Sequence, residues 1–395
     1  MCFLDLKGAY DRVPRQLLWH VLERLGVQGG MLSAIKSLYD NFSVAVQVGG
    51  RVGSALRSHT GLKQGCPLSP ILFGLFADGL HRHLMDCCAG SGLMVGNSEA
   101  FDLAYADDFA LVSATPDGLQ RTIDAVAAFC QLTTMEISVE KTKVLVARGG
   151  VAAPAVAWTC LGAPLQQVQR YKYLGLEFDA AHGFQQALPI LKQRMWAGWA
   201  TIKRQYGQLR CGASVWLHQR LYEACVLPSA SYGCELWSPY KWPGKRELEQ
   251  AHLHFLRQIC NVRRAVPTAI LFRELDSVPL QHHWLTRVAG FWNALAALPD
   301  RCLHKRLALD ACDAFICHNA SNWARGVYNA LRAVDYQLTI RRDAIEPIHV
   351  STLRSKIADK FNAHWSDVHV CPRTCPCDRY PGTRPGIRSP ANFSR

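Results

Sequence analysis

The protein has 395 residues, of which 49% are hydrophobic and 19% are charged. This composition is typical of a folded chain of two or three domains and excludes a disordered one. The sequence contains no uninterrupted apolar run of membrane-spanning length and no basic-then-apolar leader, and its 16 cysteines form no disulfide-like framework. We therefore expect an intracellular protein with reduced thiols, in the nucleus, the cytoplasm or both, with no membrane association.

The net charge of +13 is unevenly distributed along the chain. Residues 1–150 contain 13 Lys and Arg against 14 Asp and Glu; the totals of 44 and 31 leave 31 against 17 for residues 151–395, a net of +14. A basic part of this kind is expected to lie along a polyanion such as nucleic acid. A basic surface that only maintains solubility is the alternative.

The first 180 residues alternate between strand-like and helix-like patterns. The predicted elements begin with a strand over 2–6, a helix opened by Pro14 and, after Gly29-Gly30, a shorter helix that contains Leu32, Ile35, Leu38 and Tyr39. A hairpin over 43–57, a Gly/Pro loop over 61–70 and a helix over 69–85 follow. The last elements are two short strands over 101–113, a helix from 115 to about 134, a strand over 137–147 and a hairpin over 171–179. This order predicts an α+β domain over 1–180.

Beyond 183 the pattern is helical almost throughout. We predict a helical region over 181–300, a second over 301–365, and a disordered basic tail over 366–395 that is rich in Pro, Gly, Arg and Ser. The tail contains Cys371, Cys375 and Cys377, which could ligate zinc. Their spacing matches no regular zinc knuckle, so free cysteines are favoured.

Two acidic positions follow apolar strands. Asp5 follows Cys2–Leu4, and Asp107 with Asp108 follows the strand over 103–106. If the strands are neighbours in one sheet, the carboxylates converge, and hard divalent cations would relieve their repulsion. Two metal ions about 4 Å apart form the clamp used for in-line phosphoryl transfer. The alternative for the Asp-Asp pair alone is a simple polar turn.

Five motifs, in order, resemble the reverse transcriptases of non-long-terminal-repeat, LINE-type retrotransposons. They are FLDLKGAYDRVP (3–14), GLKQGCPLSPILF (61–73), YADD (105–108), ISVEKTKVLV (137–146) and YKYLG (171–175). Together with SYGCELW (231–237), the resemblance extends over about 1–280. It implies a right-hand polymerase fold: an antiparallel palm sheet with helices, then a helical thumb and a C-terminal helical region.

The resemblance also implies a role for individual residues. Asp5, Asp107 and Asp108 would bind two Mg²⁺ ions (or Mn²⁺), with Asp108 the less certain ligand, and Lys141 would donate a proton or stabilise charge near the pyrophosphate. Leu6, Tyr10, Gln64 and Gly65 would contact the incoming nucleotide, Tyr10 as the gate against a ribose 2′-hydroxyl. The residues that would contact primer and template are Tyr171, Lys172, Tyr173, Leu174, Gly175, Lys192, Arg194, Lys203 and Arg204, with Trp196 and Trp199 beside them.

Each assignment has a simpler alternative. Tyr10 fits a core tyrosine, Gly65 an ordinary turn, and Lys141 a solvated edge-strand lysine. The basic residues over 192–204 also fit an amphipathic helix with a solvated face. These alternatives remain open on the sequence alone.

The implied function is an RNA-directed DNA polymerase that extends a DNA primer on an RNA template from deoxynucleoside triphosphates. Because residue 1 already lies inside the first motif, the fingers are expected to be largely missing and the activity impaired. A non-catalytic nucleic-acid-binding remnant of a retroelement is the alternative. Another palm-fold enzyme, such as a nucleotide cyclase, fits the basic helical half less well.

Overall fold

The computed structural model describes residues 1–40, 42–147, 156–206 and 215–366. Its first part, over 1–179, is the sheet region. The elements of that region are β1 (Cys2–Asp5), α1 (Ala9–Arg12), α2 (Arg15–Arg24), α3 (Gly29–Asp40), β2 (Ser43–Val44), β3 (Gln47–Val48), β4 (Arg51–Val52), β5 (Leu56–Arg57), α4 (Ser69–Cys87), β6 (Leu93–Val95), β7 (Ser98–Ala100), β8 (Asp102–Tyr105), β9 (Asp108–Leu111), α5 (Pro116–Leu132), β10 (Lys143–Val144), β11 (Trp158–Cys160), β12 (Ala163–Gln167), β13 (Arg170–Tyr173) and β14 (Leu176–Asp179).

The rest of the chain, over 187–366, is the helical region. Its helices are α6 (Ala187–Tyr206), α7 (Val215–Cys225), α8 (Leu227–Ser231), α9 (Cys234–Trp237), α10 (Gly244–Ile259), α11 (Thr268–Glu274), α12 (Leu280–Ala297), α13 (Leu303–His318), α14 (Trp323–Arg332) and α15 (Val350–Ser366). The predicted α+β class, with a sheet first and helices after it, is confirmed. None of the described helices is long and apolar enough to cross a membrane.

Six strands form the central sheet, in the order β11-β12-β10-β1-β9-β8. Strand β1 lies in the middle and pairs antiparallel with both β9 and β10. Strand β10, however, pairs parallel with β12. The sheet is therefore mixed, and the expected antiparallel pairing fails only between β10 and β12, where β12 runs along the far side of β10 in the same direction.

The two faces of the sheet pack against different partners because successive side chains in a strand point to opposite sides. Cys2 and Leu4 face the main core, which also contains residues of α4 and α5. Phe3 faces the other way, with Ala110 and Leu145, toward the hairpin β13–β14. The site described below lies on this second face.

Helix starts in the sheet region follow capping rules. Thr115 precedes α5, and its hydroxyl accepts a hydrogen bond from the backbone N–H of Gly118 at 3.1 Å. Pro116 occupies the first turn of α5, and Pro70 that of α4, where a proline costs no backbone hydrogen bond. Both helices begin close to where the sequence predicts.

The predicted strand over 137–147 is mostly wrong. Only Lys143–Val144 is a strand, and Ile137 makes an isolated bridge to Leu6. Between them the chain turns, since the backbone N–H of Thr142 donates to the carbonyl of Ser138 at 2.9 Å. Lys141 therefore lies in a turn and not on a strand.

Two buried clusters hold the helical region together. The first runs from Leu176 to Trp284, and the second from Leu285 to Ile357. Helix α12 contributes to both, and its Trp284 and Trp292 are fully buried. The helical region thus consists of two cores that share one helix, while the domain boundaries at 180, 300 and 365 remain predictions.

Candidate active site

The aspartate cluster, defined as Asp5, Asp107 and Asp108, forms where β1 meets the hairpin β8–β9. Asp5 lies directly opposite Asp108 in the antiparallel ladder of β1 and β9. Asp107 occupies the two-residue turn between β8 and β9, after Ala106, whose φ of 54° is rare for a residue with a Cβ. The predicted adjacency of the strand before Asp5 and the strand before Asp107 is wrong, because β9 lies between β1 and β8. The hairpin that carries Asp107 nevertheless adjoins β1, through the pairing of β1 with β9.

The cluster carries unrelieved repulsion. Like charges directly opposite in a sheet are destabilising. Partial burial raises the pKa of Asp108, and the nearby Asp107 and Asp5 carboxylates raise it further. The Lys141 ammonium lies 3.9 Å from an Asp5 carboxylate oxygen, but its side chain is 75% exposed. A single solvated ammonium offsets little of a charge of three carboxylates.

The donor atoms of the cluster suit a hard cation, since Mg²⁺ prefers carboxylate oxygens. Among the residues that the structure describes, however, no group of three or more His, Cys, Asp or Glu side chains is arranged to hold a metal ion. The cluster thus fits Mg²⁺ in donor type and in charge, although its side chains are not arranged as a ligand set.

The hairpin β13–β14 covers the same face of the sheet as the cluster. The ring of Tyr171 stacks on Phe3 with centroids 4.0 Å apart and an interplanar angle of 7°. Since Phe3 precedes Asp5 by two positions on β1, Tyr171 lies beside the acids. Burial raises the pKa of Tyr171, and so do the Asp108 and Asp5 carboxylates.

The turn of this hairpin, Leu174-Gly175, is bonded to the helical region. Both turn residues have positive φ, 46° and 82°, as a tight two-residue turn of this type requires. The carbonyl of Leu174 accepts from the Tyr232 hydroxyl at 2.6 Å. The carbonyl of Gly175 accepts from the Arg194 guanidinium at 3.1 Å. Strand residues of the hairpin thus touch the sheet while its turn touches α6 and the segment after α8.

The predicted nucleotide contacts lie around the same edge. Tyr10 stacks on Phe73, with centroids 4.6 Å apart, and burial and the Asp107 carboxylate raise its pKa. It is therefore a half-buried tyrosine that packs on the core and also faces the cluster. The Gln64 amide donates to both Asp11 carboxylate oxygens, at 3.1 and 3.3 Å. Leu6 is half-buried beside the main core.

Gly61 and Gly65 both have positive φ, but the space around a Cβ at each position differs. A Cβ on Gly61 would lie 2.4 Å from the carbonyl oxygen of Asp11, so only glycine fits there. At Gly65, with φ of 78°, nothing lies within 4 Å of the position of a Cβ. The space above Gly65 is open, as a site of close ligand approach requires.

A buried arginine that the sequence did not single out fixes this loop. The Arg15 guanidinium donates to the carbonyl oxygens of Tyr39, Ser58, Thr60 and Gly61, at 2.7 to 3.3 Å. It is the one Lys or Arg classed as buried among the described residues. Its neighbour Pro14 marks a helix start, which gives no signal for a structural cation. Arg15 positions the segment that leads into Gln64 and Gly65.

The basic residues predicted to contact primer and template divide into two groups. Lys192 pairs with Glu247 at 2.8 Å, and Arg194 bonds the hairpin turn, so both have partners within the chain. Lys203 and Arg204 are exposed near the end of α6. Trp199 is buried and cannot contact a duplex, whereas Trp196 is 41% exposed. The expectation that both tryptophans accompany the basic face is therefore wrong for Trp199.

The twelve described cysteines are all free thiols. The cysteines at 371, 375 and 377, weighed above as zinc ligands, lie outside the described residues.

Residues 1–178 match the sequence family described as reverse transcriptase (RNA-dependent DNA polymerase). The match covers 178 of the 395 residues, so this part of the chain is similar to reverse transcriptase domains. The matched residues contain the whole aspartate cluster, the Gln64-Gly65 loop and most of the hairpin β13–β14. The predicted resemblance is confirmed at the level of the family.

The curated proteins that this chain resembles include proteins of the R2 and jockey non-long-terminal-repeat retrotransposons. The chain is 28% identical to the Pol polyprotein of an R2 element of Popillia japonica (45% of this chain, 30% of the relative) and 28% identical to that of element R2DM of Drosophila melanogaster (45% and 17%). It is 26% identical to the RNA-directed DNA polymerase of mobile element jockey of Drosophila melanogaster, covering 60% and 25%. The chain thus spans less than a third of the length of these relatives.

Among solved structures, the chain is similar to telomerase from Candida albicans. The similarity covers 76% of this chain and 47% of that one, with 12% identity and a TM-score of 0.28. At this level individual elements cannot be compared.

Proposed function

We propose that this chain is the core of an RNA-directed DNA polymerase that transfers nucleotides from deoxynucleoside triphosphates to a DNA primer 3′-hydroxyl on an RNA template. The sheet region acts as the palm, and the helices that follow it act as the thumb. The observation that carries the proposal is the direct cross-strand register of Asp5 with Asp108, with Asp107 in the adjoining turn, inside a reverse transcriptase domain.

In this proposal Asp5 and Asp107 would be the principal Mg²⁺ ligands, and Asp108 an additional acid of the cluster. Bound ions would supply activation of the attacking hydroxyl and stabilisation of the leaving pyrophosphate. Lys141, 3.9 Å from Asp5, adds positive charge near the phosphates. Its position in a turn lets its side chain move between Asp5 and a substrate.

The neighbouring residues orient the reactants. Tyr10 faces Asp107 and rests on Phe73, which supports a role in excluding the ribose 2′-hydroxyl. Gln64 and Gly65 contact the incoming nucleotide and template from a loop held by Arg15. Tyr171 and the rest of the hairpin turn position the primer end beside the acids. Small displacements of such groups are costly, because in-line transfer depends on orientation.

Contact with duplex phosphates is assigned mainly to Lys203 and Arg204, since both are exposed on α6. Lys192 and Arg194 take part less directly, because each already has a partner in the chain. Arg194 acts on the primer through the turn that it holds.

Primer extension on an RNA template with Mg²⁺ tests the proposal. We expect Asp107→Asn and Asp5→Asn to lower the extension rate at least about a hundredfold, as the loss of electrostatic stabilisation at a transition state does. Asp86→Asn is the matched control, since this exposed acid lies at the end of α4 and outside the cluster. It should extend like the parent chain.

Extension that survives Asp107→Asn would overturn the assignment of the site. A chain that binds primer–template but never extends it, in the parent as in the variants, would favour the alternative of a non-catalytic nucleic-acid-binding remnant.

A further inference from the structure

A cleft of about 900 Å³ opens where the two cores of the helical region meet. It is lined by the segment between α9 and α10, by α12, by α14 with the residues after it, and by Lys360 of α15. None of these elements belongs to the reverse transcriptase domain at 1–178. The cleft is therefore separate from the aspartate cluster.

The charged side chains that line this cleft, called the basic cleft below, are all cations. Five cations line it: Lys241, Lys245, Arg325, Arg332 and Lys360. No Asp or Glu is among the described residues that line it. An acid does lie nearby, since Asp335 is 3.9 Å from the Lys360 ammonium. The other four cations make no ion pair that the structure records within the described residues, so the cleft favours an anion.

Two of the cations are free to bind a ligand, and one is fixed in the wall. Lys241 and Arg332 are exposed. Lys245 is half-buried, and its ammonium donates to the carbonyl oxygens of Ser238 and Tyr240 at 2.5 and 3.0 Å. Burial lowers the pKa of Lys245 to about 8. Lys241 and Arg332 thus remain available to a ligand, whereas Lys245 is held by the backbone of the cleft wall.

Polar atoms without partners also lie in this lining. The indole N–H of Trp284 has no acceptor among the described residues, although the side chain is only 1% exposed. The Nδ1 atom of the half-buried His282 likewise has no partner there. Buried N–H groups are nearly always paired in folded proteins. An acceptor from outside the chain, such as a phosphate oxygen, would satisfy the Trp284 donor.

The size and the aromatic content of the cleft point to an unpaired strand. Pockets for small molecules have volumes of roughly 300–1,000 Å³, so a cleft of this size takes a nucleotide-sized segment and not a whole duplex. Tyr240 lines the cleft and is stacked on Trp242, with centroids 5.0 Å apart. Aromatic surface beside basic residues is the usual combination for single-stranded nucleic acid.

We propose that the basic cleft binds the phosphodiester backbone of single-stranded nucleic acid, as a second contact outside the polymerase site. Lys241 and Arg332 contact phosphates at the mouth, and Trp284 donates to an anionic oxygen within. The inference does not depend on catalysis, because binding at this cleft needs neither the aspartate cluster nor a nucleotide.

The test is fluorescence anisotropy of the full chain with a labelled 20-nucleotide single-stranded RNA, without Mg²⁺ or nucleotides, over a range of salt. The variant is Lys241→Ala/Arg332→Ala. The matched control is Arg354→Ala/Lys356→Ala, which removes the same charge from exposed positions of α15 that do not line the cleft. All four residues are exposed, so both variants should keep the parent melting temperature.

We expect the cleft variant to bind RNA about tenfold more weakly at moderate salt and to lower the slope of log K against log salt by about 1.4, the value for two phosphate contacts on a single strand. In the control, the affinity for RNA and the slope of log K against log salt should both stay close to the values of the parent chain. Equal weakening in both variants would mean a diffuse charge effect and would overturn the proposal. Running the same sequence as DNA distinguishes a backbone contact, which binds both, from recognition of the 2′-hydroxyl, which favours RNA.

Discussion

The sheet region and the helical region place their charged side chains differently. In the sheet region the charge is nearly balanced, yet three acids converge at one hairpin and Arg15, the buried cation, is used to fix a loop. In the helical region cations are in excess, and five of them line one cleft. Concentrated charge on a rigid sheet suits a chemical step, whereas dispersed cations suit a long polyanion.

The largest effect that would sharpen this comparison is expected at Arg15. Arg15→Ala removes a donor from four backbone carbonyls, of which those of Tyr39 and Thr60 still accept from Phe42 and Ser58. The loss should lower the free energy of unfolding by roughly 3 kcal/mol. Arg332→Ala, at an exposed position of the helical region, should change it by less than about 0.5 kcal/mol. Chemical denaturation measures both.

If both substitutions changed the free energy of unfolding by the same small amount, Arg15 would have no greater structural role than the exposed Arg332. Arg15→Lys should recover only part of the loss, because an ammonium cannot reach four carbonyls with the planar fork of a guanidinium.

A smaller effect is expected when Mg²⁺ is added to the aspartate cluster. A ligand that binds only the folded state stabilises it, by about 1.4 kcal/mol at ten times its dissociation constant. The parent chain should therefore melt a few degrees higher in Mg²⁺, and Asp86→Asn should behave in the same way. Asp5→Asn should lose most of this shift, as measured by thermal melting with and without Mg²⁺. An undiminished shift in Asp5→Asn would place the cation elsewhere.

A further effect, on the pH dependence of stability, is expected at Asp179, where the hairpin β13–β14 ends. Burial alone would raise its pKa, but hydrogen bonds from His182, Ala181 and Arg170 lower it to about 2. Because the folded pKa is depressed, this stabilisation is complete above about pH 4 and is lost as the pH falls toward 2.

In Asp179→Asn the unfolding free energy should depend less on pH in that window, by at most about one proton. Denaturation curves at pH 4, 3 and 2 measure the difference between variant and parent. An unchanged pH dependence would remove Asp179 as the group responsible.

Much of the sheet region could be predicted from local pattern. The strand that precedes Asp5, the hairpin around Asp107 and the capped start of α5 all depend on residues close in sequence. The parallel pairing of β10 with β12 could not be predicted, because it joins two-residue stretches across a long connection. The turn over 138–142 is not predicted for a related reason. Its hydrogen bonds include one from the Ser138 N–H to the carbonyl of Asp5, which is distant in sequence, and the local pattern of apolar residues resembles that of a strand.

The candidate site shows the same division. The acids were found because each follows an apolar strand, and the motif resemblance supplied their family. Arg15 was missed because its role depends on four carbonyls up to 46 positions away. The sequence does not predict the burial of Trp199. Whether a face of α6 packs in the core or contacts a ligand depends on which helices pack against it, and the sequence of α6 alone does not give those helices. The domain boundaries and the metal ligands stay predictions.

The turn at Leu174-Gly175 has a mechanical consequence. Its two carbonyls are bonded to Tyr232 and Arg194, while Tyr171, three positions before Leu174, is stacked on the strand that bears Asp5. The hairpin therefore connects α6 to the strand that bears Asp5 through an unbroken series of contacts, from Arg194 through the turn to the Tyr171 ring.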